Sequence, residues 1–150
     1  MALRQSSKYR QGIFIPSNKE KFLGTKAIYR SGLELKFMRF CDNNPNVVKW
    51  GSENVIIPYI SPLDGRGHRY YVDNFVIIKE GEQIKKYLIE IKPSKQTVPP
   101  AVKYKKKEHL IYEQTMYIKN QAKWQAAKVY CEGNDLEFKI FTEKDIGVYG

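Results

Sequence analysis

Two strand-like runs joined by a short turn constrain this chain more than any other feature. Arg69–Lys79 and Lys86–Pro93 are dense in Val, Ile, Tyr and Phe, and Glu80-Gly81-Glu82-Gln83 lies between them with glycine at its centre. A hairpin folding about the Gly81–Glu82 bond sets Asp73 directly across from Glu90. Opposed side chains share a face, with Cβ atoms roughly 4.5–5.5 Å apart. Lys92, two residues past Glu90, joins them there. Carboxylates this close repel each other. A divalent cation between them removes the conflict, and a lysine beside it suits phosphate-ester chemistry. The plainer reading is an exposed sheet face of alternating charge. It leaves an Asp inside a strand, an unfavourable place, opposed to a Glu.

At 150 residues the chain has room for one domain with one core. Eleven Tyr and seven Phe exclude a disordered tail. Lys and Arg number 26 against 16 Asp and Glu, a net charge of +10, which favours a polyanionic partner. Charge alone does not choose among DNA, RNA, membrane headgroups and an acidic protein surface. No apolar run approaches the ~20 residues that span a bilayer, and Met1–Lys8 has no secretory apolar region. Cys41 and Cys131 lie in apolar surroundings and read as reduced core residues of an intracellular protein. With only His68 and His109 beside them, they do not suffice for a zinc site.

Residues 1–30 carry seven basic side chains (Arg4, Lys8, Arg10, Lys19, Lys21, Lys26, Arg30) against Glu20 alone, and read as a basic N-terminal arm. The remaining 31–150 read as one domain. Ser31-Gly-Leu-Glu34 opens a helix to about Asn43, with Leu33, Phe37, Phe40 and Cys41 on one face. Val47–Gly51 reads as an apolar link. Glu53–Ile60 reads as a first strand, placed at an edge or bulge by Pro58. After the hairpin and a Pro-bounded break, a helix from about Glu108 to Cys131 follows. Ile111, Thr115, Ile118, Ala122, Ala126 and Val129 form its expected inward stripe. Leu136–Thr142 alternates as a last strand. The order is helix, three strands, helix, strand, an α/β fold with helices packed on a mixed sheet.

Hydrolysis of a phosphodiester needs a cation to neutralise the phosphate oxygens and acidify the attacking water. Mg²⁺ takes oxygen ligands, usually one or two carboxylates, and leaves positions for water and phosphate. Asp73 and Glu90 meet that demand, and the Ile91 carbonyl adds a third oxygen. Mn²⁺ is the natural substitute. Lys92 orients the water or offsets transition-state charge. Glu34 is a further carboxylate from the first helix, and Ser31-x-x-Glu34 is also a capping box, which needs Glu34 only at the helix start. Candidate DNA contacts are Lys8, Arg10 and Arg30 in the arm, Lys95, the run Lys103, Lys105, Lys106 and Lys107, and Gln121 on the long helix.

Asp73, then Glu90-Ile-Lys92 on the next strand, with Glu34 on a preceding helix, resembles the PD-(D/E)xK nuclease superfamily, although Val72 stands where the motif name has proline. The resemblance implies a restriction-endonuclease-like core. Longer blocks, among them Tyr29–Asp42, Val48–Glu53, Ile57–Pro62, His68–Asp73 and Leu88–Thr97, resemble the head-completion nuclease family of T4-like tailed bacteriophages. That resemblance implies a metal site at Asp73, Glu90 and Lys92, with Glu34 contributing. It also implies a role in virion assembly in the host cytoplasm, after DNA packaging and before tail attachment. The partners it implies are DNA and phage head, portal or neck proteins, with no membrane. The rival expectation is a structural head or neck protein that binds DNA ends or portal proteins, its catalysis dispensable.

Overall fold

The structure, a computed structural model, describes residues 11–103 and 105–145. Strands β7 (Asn74–Glu80) and β8 (Gln83–Ile91) form the hairpin read from the sequence. Glu80 stands opposite Gln83 and Asn74 opposite Ile89, so the same register carried one residue further sets Asp73 opposite Glu90. The turn works because Gly81 sits at φ +63°, a conformation that costs glycine no Cβ clash.

The hairpin is the centre of a five-stranded mixed sheet. β4 (Val47–Ser52) pairs antiparallel with β7, and the short β2 (Phe22–Leu23) runs parallel to β4 at one edge. β9 (Glu137–Phe141) runs parallel to β8 at the other. Helix α1 (Gly32–Asn43) covers one face through Phe37, Met38 and Cys41, packed on Trp50, Val76, Ile89 and Ile91. Helix α2 (Lys107–Glu132) covers the other face with a second small hairpin, β5 (Ile56–Ile60) and β6 (Gly67–Tyr71). There Leu88 packs with Trp124, Ala127, Tyr70 and Ile57. Side chains of β8 alternate between these two cores, so Glu90 follows Leu88 onto the α2 side. Cys41 and Cys131 are free and buried, as expected. Among the described residues no helix is long and apolar enough to cross a membrane.

The restriction-endonuclease-like order holds, but several elements differ from the sequence reading. Val47–Gly51, read as a link, is the core strand β4. A bulge between Val47 and Lys49 shifts its register and disrupts the period-2 pattern. The strand read over Glu53–Ile60 begins only at Ile56 and belongs to the small hairpin; Glu53 takes φ +53°, which turns the chain away from β4. Arg69–Lys79 is not one strand but two, β6 and β7, parted at Val72–Asp73. On α2 three residues of the expected inward stripe face solvent, Ile111, Ile118 and Val129 at 52%, 45% and 58% exposure, while Ala122 and Ala126 border the core. The buried residues are Asn120, Trp124, Ala127 and Cys131. At 3.6 residues per turn the two sets lie on opposite sides of the helix, so periodicity alone does not choose between them.

The described part of the basic stretch, residues 11–30, is built into the fold. β1 (Gly12–Phe14) pairs with β3 (Ala27–Tyr29), and Phe14 and Phe22 pack on the Trp50 ring with centroids at 6.0 and 4.7 Å. Asp42 fastens this stretch to the end of α1. Its buried carboxylate accepts from the Ser17 and Asn18 amides, both at 3.0 Å. Its carbonyl accepts from Asn18 Nδ2 at 2.8 Å and Lys21 Nζ at 3.1 Å. Asp42→Ala strands two amide donors that had a charged partner, and is expected to cost about 3 kcal/mol in urea unfolding. A loss under 1 kcal/mol contradicts this account of the fastening.

Candidate active site

The site forms where the chain crosses from the small sheet to the large one. Tyr70, at the end of β6, is buried on the α2 side, and Asp73 lies three residues on, just before β7. Glu90 waits opposite on β8 and is itself buried. Tyr70 Oη donates to Glu90 Oε1 at 2.8 Å. From α2, Trp124 Nε1 donates to Glu90 Oε2 at 3.3 Å. Lys92 Nζ stands 3.7 Å from the same oxygen. A buried carboxylate requires such partners, and these fix the orientation of Glu90. Burial, with Glu90 beside it, pushes the Tyr70 phenol far above its ordinary pKa, so it stays a donor.

Asp73 is held by the backbone. Its Oδ2 accepts from the Ile91 amide at 2.7 Å, and its carbonyl accepts from the Glu53 amide at 3.1 Å. Its carboxyl is close enough to hydrogen-bond with that of Glu90. Burial raises its pKa well above the carboxylate range, and the charges of Glu90 and Glu34 raise it further, against the pull of the Ile91 amide. Two carboxyls in this contact share a proton or a cation. Among the described residues no three His, Cys, Asp or Glu side chains are placed to ligate one ion together. Two carboxylates completed by backbone oxygen, water and substrate would make a donor set that fits Mg²⁺.

Glu34 closes the helix start, as the Ser31-x-x-Glu34 spacing predicts. Ser31 Oγ accepts from the Glu34 amide at 3.1 Å and donates to Glu34 Oε2 at 3.1 Å, closing the start of α1. The same carboxyl lies near enough to Asp73 for its charge to be felt there. Burial raises the Glu34 pKa, while Ser31 and Arg30 oppose the rise. Arg30 is bound to Glu53 in an ion pair at the edge of the site.

The other candidate contacts are scattered. Lys95 is exposed in the turn Ser94–Thr97 just past β8. Lys105 pairs with Glu113 at 2.6 Å, and Lys95 lies near enough to act on the same carboxylate. Lys103, Lys106 and Lys107 are exposed before and at the start of α2, and Gln121 is exposed further along it. Lys8 and Arg10 lie outside the described residues. His68 pairs with Asp64 at 2.8 Å and stacks on Tyr59. The sequence reading did not single out Tyr70, Trp124 or Glu53. Trp124 had a signal, the 120/124/127/131 spacing, masked by the competing stripe.

The chain is similar to known nucleases over most of its length. Residues 44–143 match the family model described as TnsA-like endonuclease N terminal. Over 145 residues the chain is 33% identical to the head completion nuclease of Enterobacteria phage T4, covering 93% of this chain and 95% of that protein.

The raised Asp73 pKa fixes the sign of a pH effect. Because the folded value exceeds the unfolded one, the stability tied to this group is fully present below the ordinary carboxylate range. It is lost as pH rises through the folded value. In chelator at pH 7, Asp73→Asn keeps the acceptor for the Ile91 amide and removes the charge. Its melting temperature is expected to exceed wild type by a few degrees, the effect of roughly 1 kcal/mol. A lower melting temperature for the variant contradicts the assignment of strain to this pair.

Proposed function

The chain belongs to the TnsA-like endonuclease family, and on that premise we propose that it is a Mg²⁺-dependent DNA nuclease acting in phage head completion. The observation that carries the reading is the convergence of Asp73 and Glu90 across the hairpin register, with Asp73 held by the Ile91 amide and the Lys92 ammonium 3.7 Å from Glu90. The near full-length match to the phage T4 head completion nuclease supports the biological role.

When bound, a divalent cation supplies neutralisation of the phosphate and acidification of a water. Asp73 and Glu90 hold it. The Ile91 carbonyl would add a third oxygen, since an extended residue sends its N–H and C=O to the same side and the Ile91 N–H points at Asp73. Tyr70 and Trp124 keep Glu90 from turning away. Lys92 places its ammonium where the attacked phosphate gathers charge. Glu34 holds or orients water from the α1 side. The exposed lysines Lys95, Lys103, Lys106 and Lys107, with Gln121, give DNA phosphates a first hold, one that weakens steeply with salt. Arg30 and Lys105 join them once they exchange Glu53 and Glu113 for phosphate. The work is done during virion assembly in the host cytoplasm, against head, portal or neck proteins.

The test is cleavage of DNA by purified protein with Mg²⁺ or Mn²⁺, beside Asp73→Ala, Glu90→Ala and Lys92→Ala. Each variant is expected to lose about 10²-fold or more of the rate. Cutting by Asp73→Ala at the wild-type rate contradicts the proposed function.

A further inference from the structure

Lys123 on α2 has no part in the scheme above, yet its surroundings are unusual for a lysine. It neighbours Trp124, which reaches in to Glu90, so it emerges at the rim of the site. Its Nζ lies 5.4 Å from the centroid of the Tyr70 ring, the ring whose hydroxyl holds Glu90. The side chain is half-buried, and among the described residues its ammonium has no carboxylate within 4.0 Å. Lys92, by contrast, is engaged with Glu90 at 3.7 Å. An aromatic face attracts a cation without neutralising it. The charge on Lys123 is therefore held in place and left available.

Burial lowers the Lys123 pKa, Glu90 and Asp73 pull it back up, and Lys119 and Lys92 lower it. A half-buried cation flanked by other cations is costly to maintain unless an anion comes to it. The anion that the neighbouring carboxylates and their metal are built to receive is a phosphodiester. Resting on the nuclease reading, we propose that Lys123 contacts the scissile phosphate of the DNA strand, as a second cation beside Lys92 held off the carboxylates by the Tyr70 ring. Lys92 approaches from the sheet and Lys123 from the helix, so the two grip the phosphate from separate elements.

Two readouts test the contact on Lys123→Met and Lys123→Arg. The first is DNA affinity against salt concentration, measured without divalent metal. One lost phosphate contact is expected to reduce the slope of log affinity against log salt by about 0.9 for a duplex. The second is single-turnover cleavage with Mn²⁺, expected to fall about tenfold or more in the Met variant and to recover largely in the Arg variant. A residue that merely offsets Asp73 and Glu90 leaves the salt slope unchanged. An unchanged slope, or cleavage by the Met variant within twofold of wild type, overturns the proposal. Absence of cutting by the wild type overturns the nuclease reading instead, and the salt slope still decides whether Lys123 meets phosphate.

Discussion

Two carboxyls, the buried one of Glu90 and the half-buried one of Asp73, brought together by a hairpin register are the constraint on which the rest of this structure depends. Neither Asp73 nor Glu90 chooses its position. The Gly81 turn fixes the pairing of β7 with β8, and that pairing brings the two acids to the same level. Burial and mutual repulsion then make the arrangement costly, as the raised Asp73 pKa records. A fold selected for stability alone has cheaper residues for these places. Strain of this kind is tolerated where a bound ion or substrate relieves it, and it collects at sites that do chemistry.

The surroundings are arranged to keep the conflict in place. Tyr70 and Trp124 reach Glu90 from different elements, one from the small hairpin and one from α2, so neither oxygen is free to swing. The Ile91 and Glu53 amides pin Asp73 through its side chain and its backbone. Glu53 supplies its amide from φ +53°, a strained setting for a residue with a side chain. Its carboxylate meanwhile engages Arg30 beside the start of α1. The β5–β6 hairpin therefore matters beyond covering the sheet, because it carries Tyr70 and sets the crossing at Val72–Asp73. Donors fixed in this way need little rearrangement when charge develops on a substrate.

The central hairpin, α1 with its Ser31 cap, the extent of α2 and the last strand were legible in the sequence. In each case one local signal dominated: a glycine turn, a capping serine, a long helical period, an alternating run. The opposition of Asp73 and Glu90 followed from counting along the turn. Three things were not legible for stated reasons. β4 was hidden because its bulge breaks the alternation that marks a strand. The face of α2 was misassigned because Ile111, Ile118 and Val129 repeat at the same period as Asn120, Trp124, Ala127 and Cys131, and only tertiary packing separates the two. That Tyr70 and Trp124, from distant elements, meet on Glu90 is not written in spacing, even where spacing marks Trp124 as inward. Lys105 illustrates the converse, since its basic run suggested a free cation and the fold pairs it with Glu113.

The account rests on a doubly charged ion resolving the carboxylate conflict, and a crystal soaked in Mn²⁺ addresses that directly. Anomalous density is predicted between Asp73 and Glu90, bonded to an oxygen of each and to the Ile91 carbonyl, and absent from Asp73→Ala crystals soaked alike. A well-ordered site in which the two carboxyls remain in contact with no ion between them, at saturating Mn²⁺ and neutral pH, would contradict it.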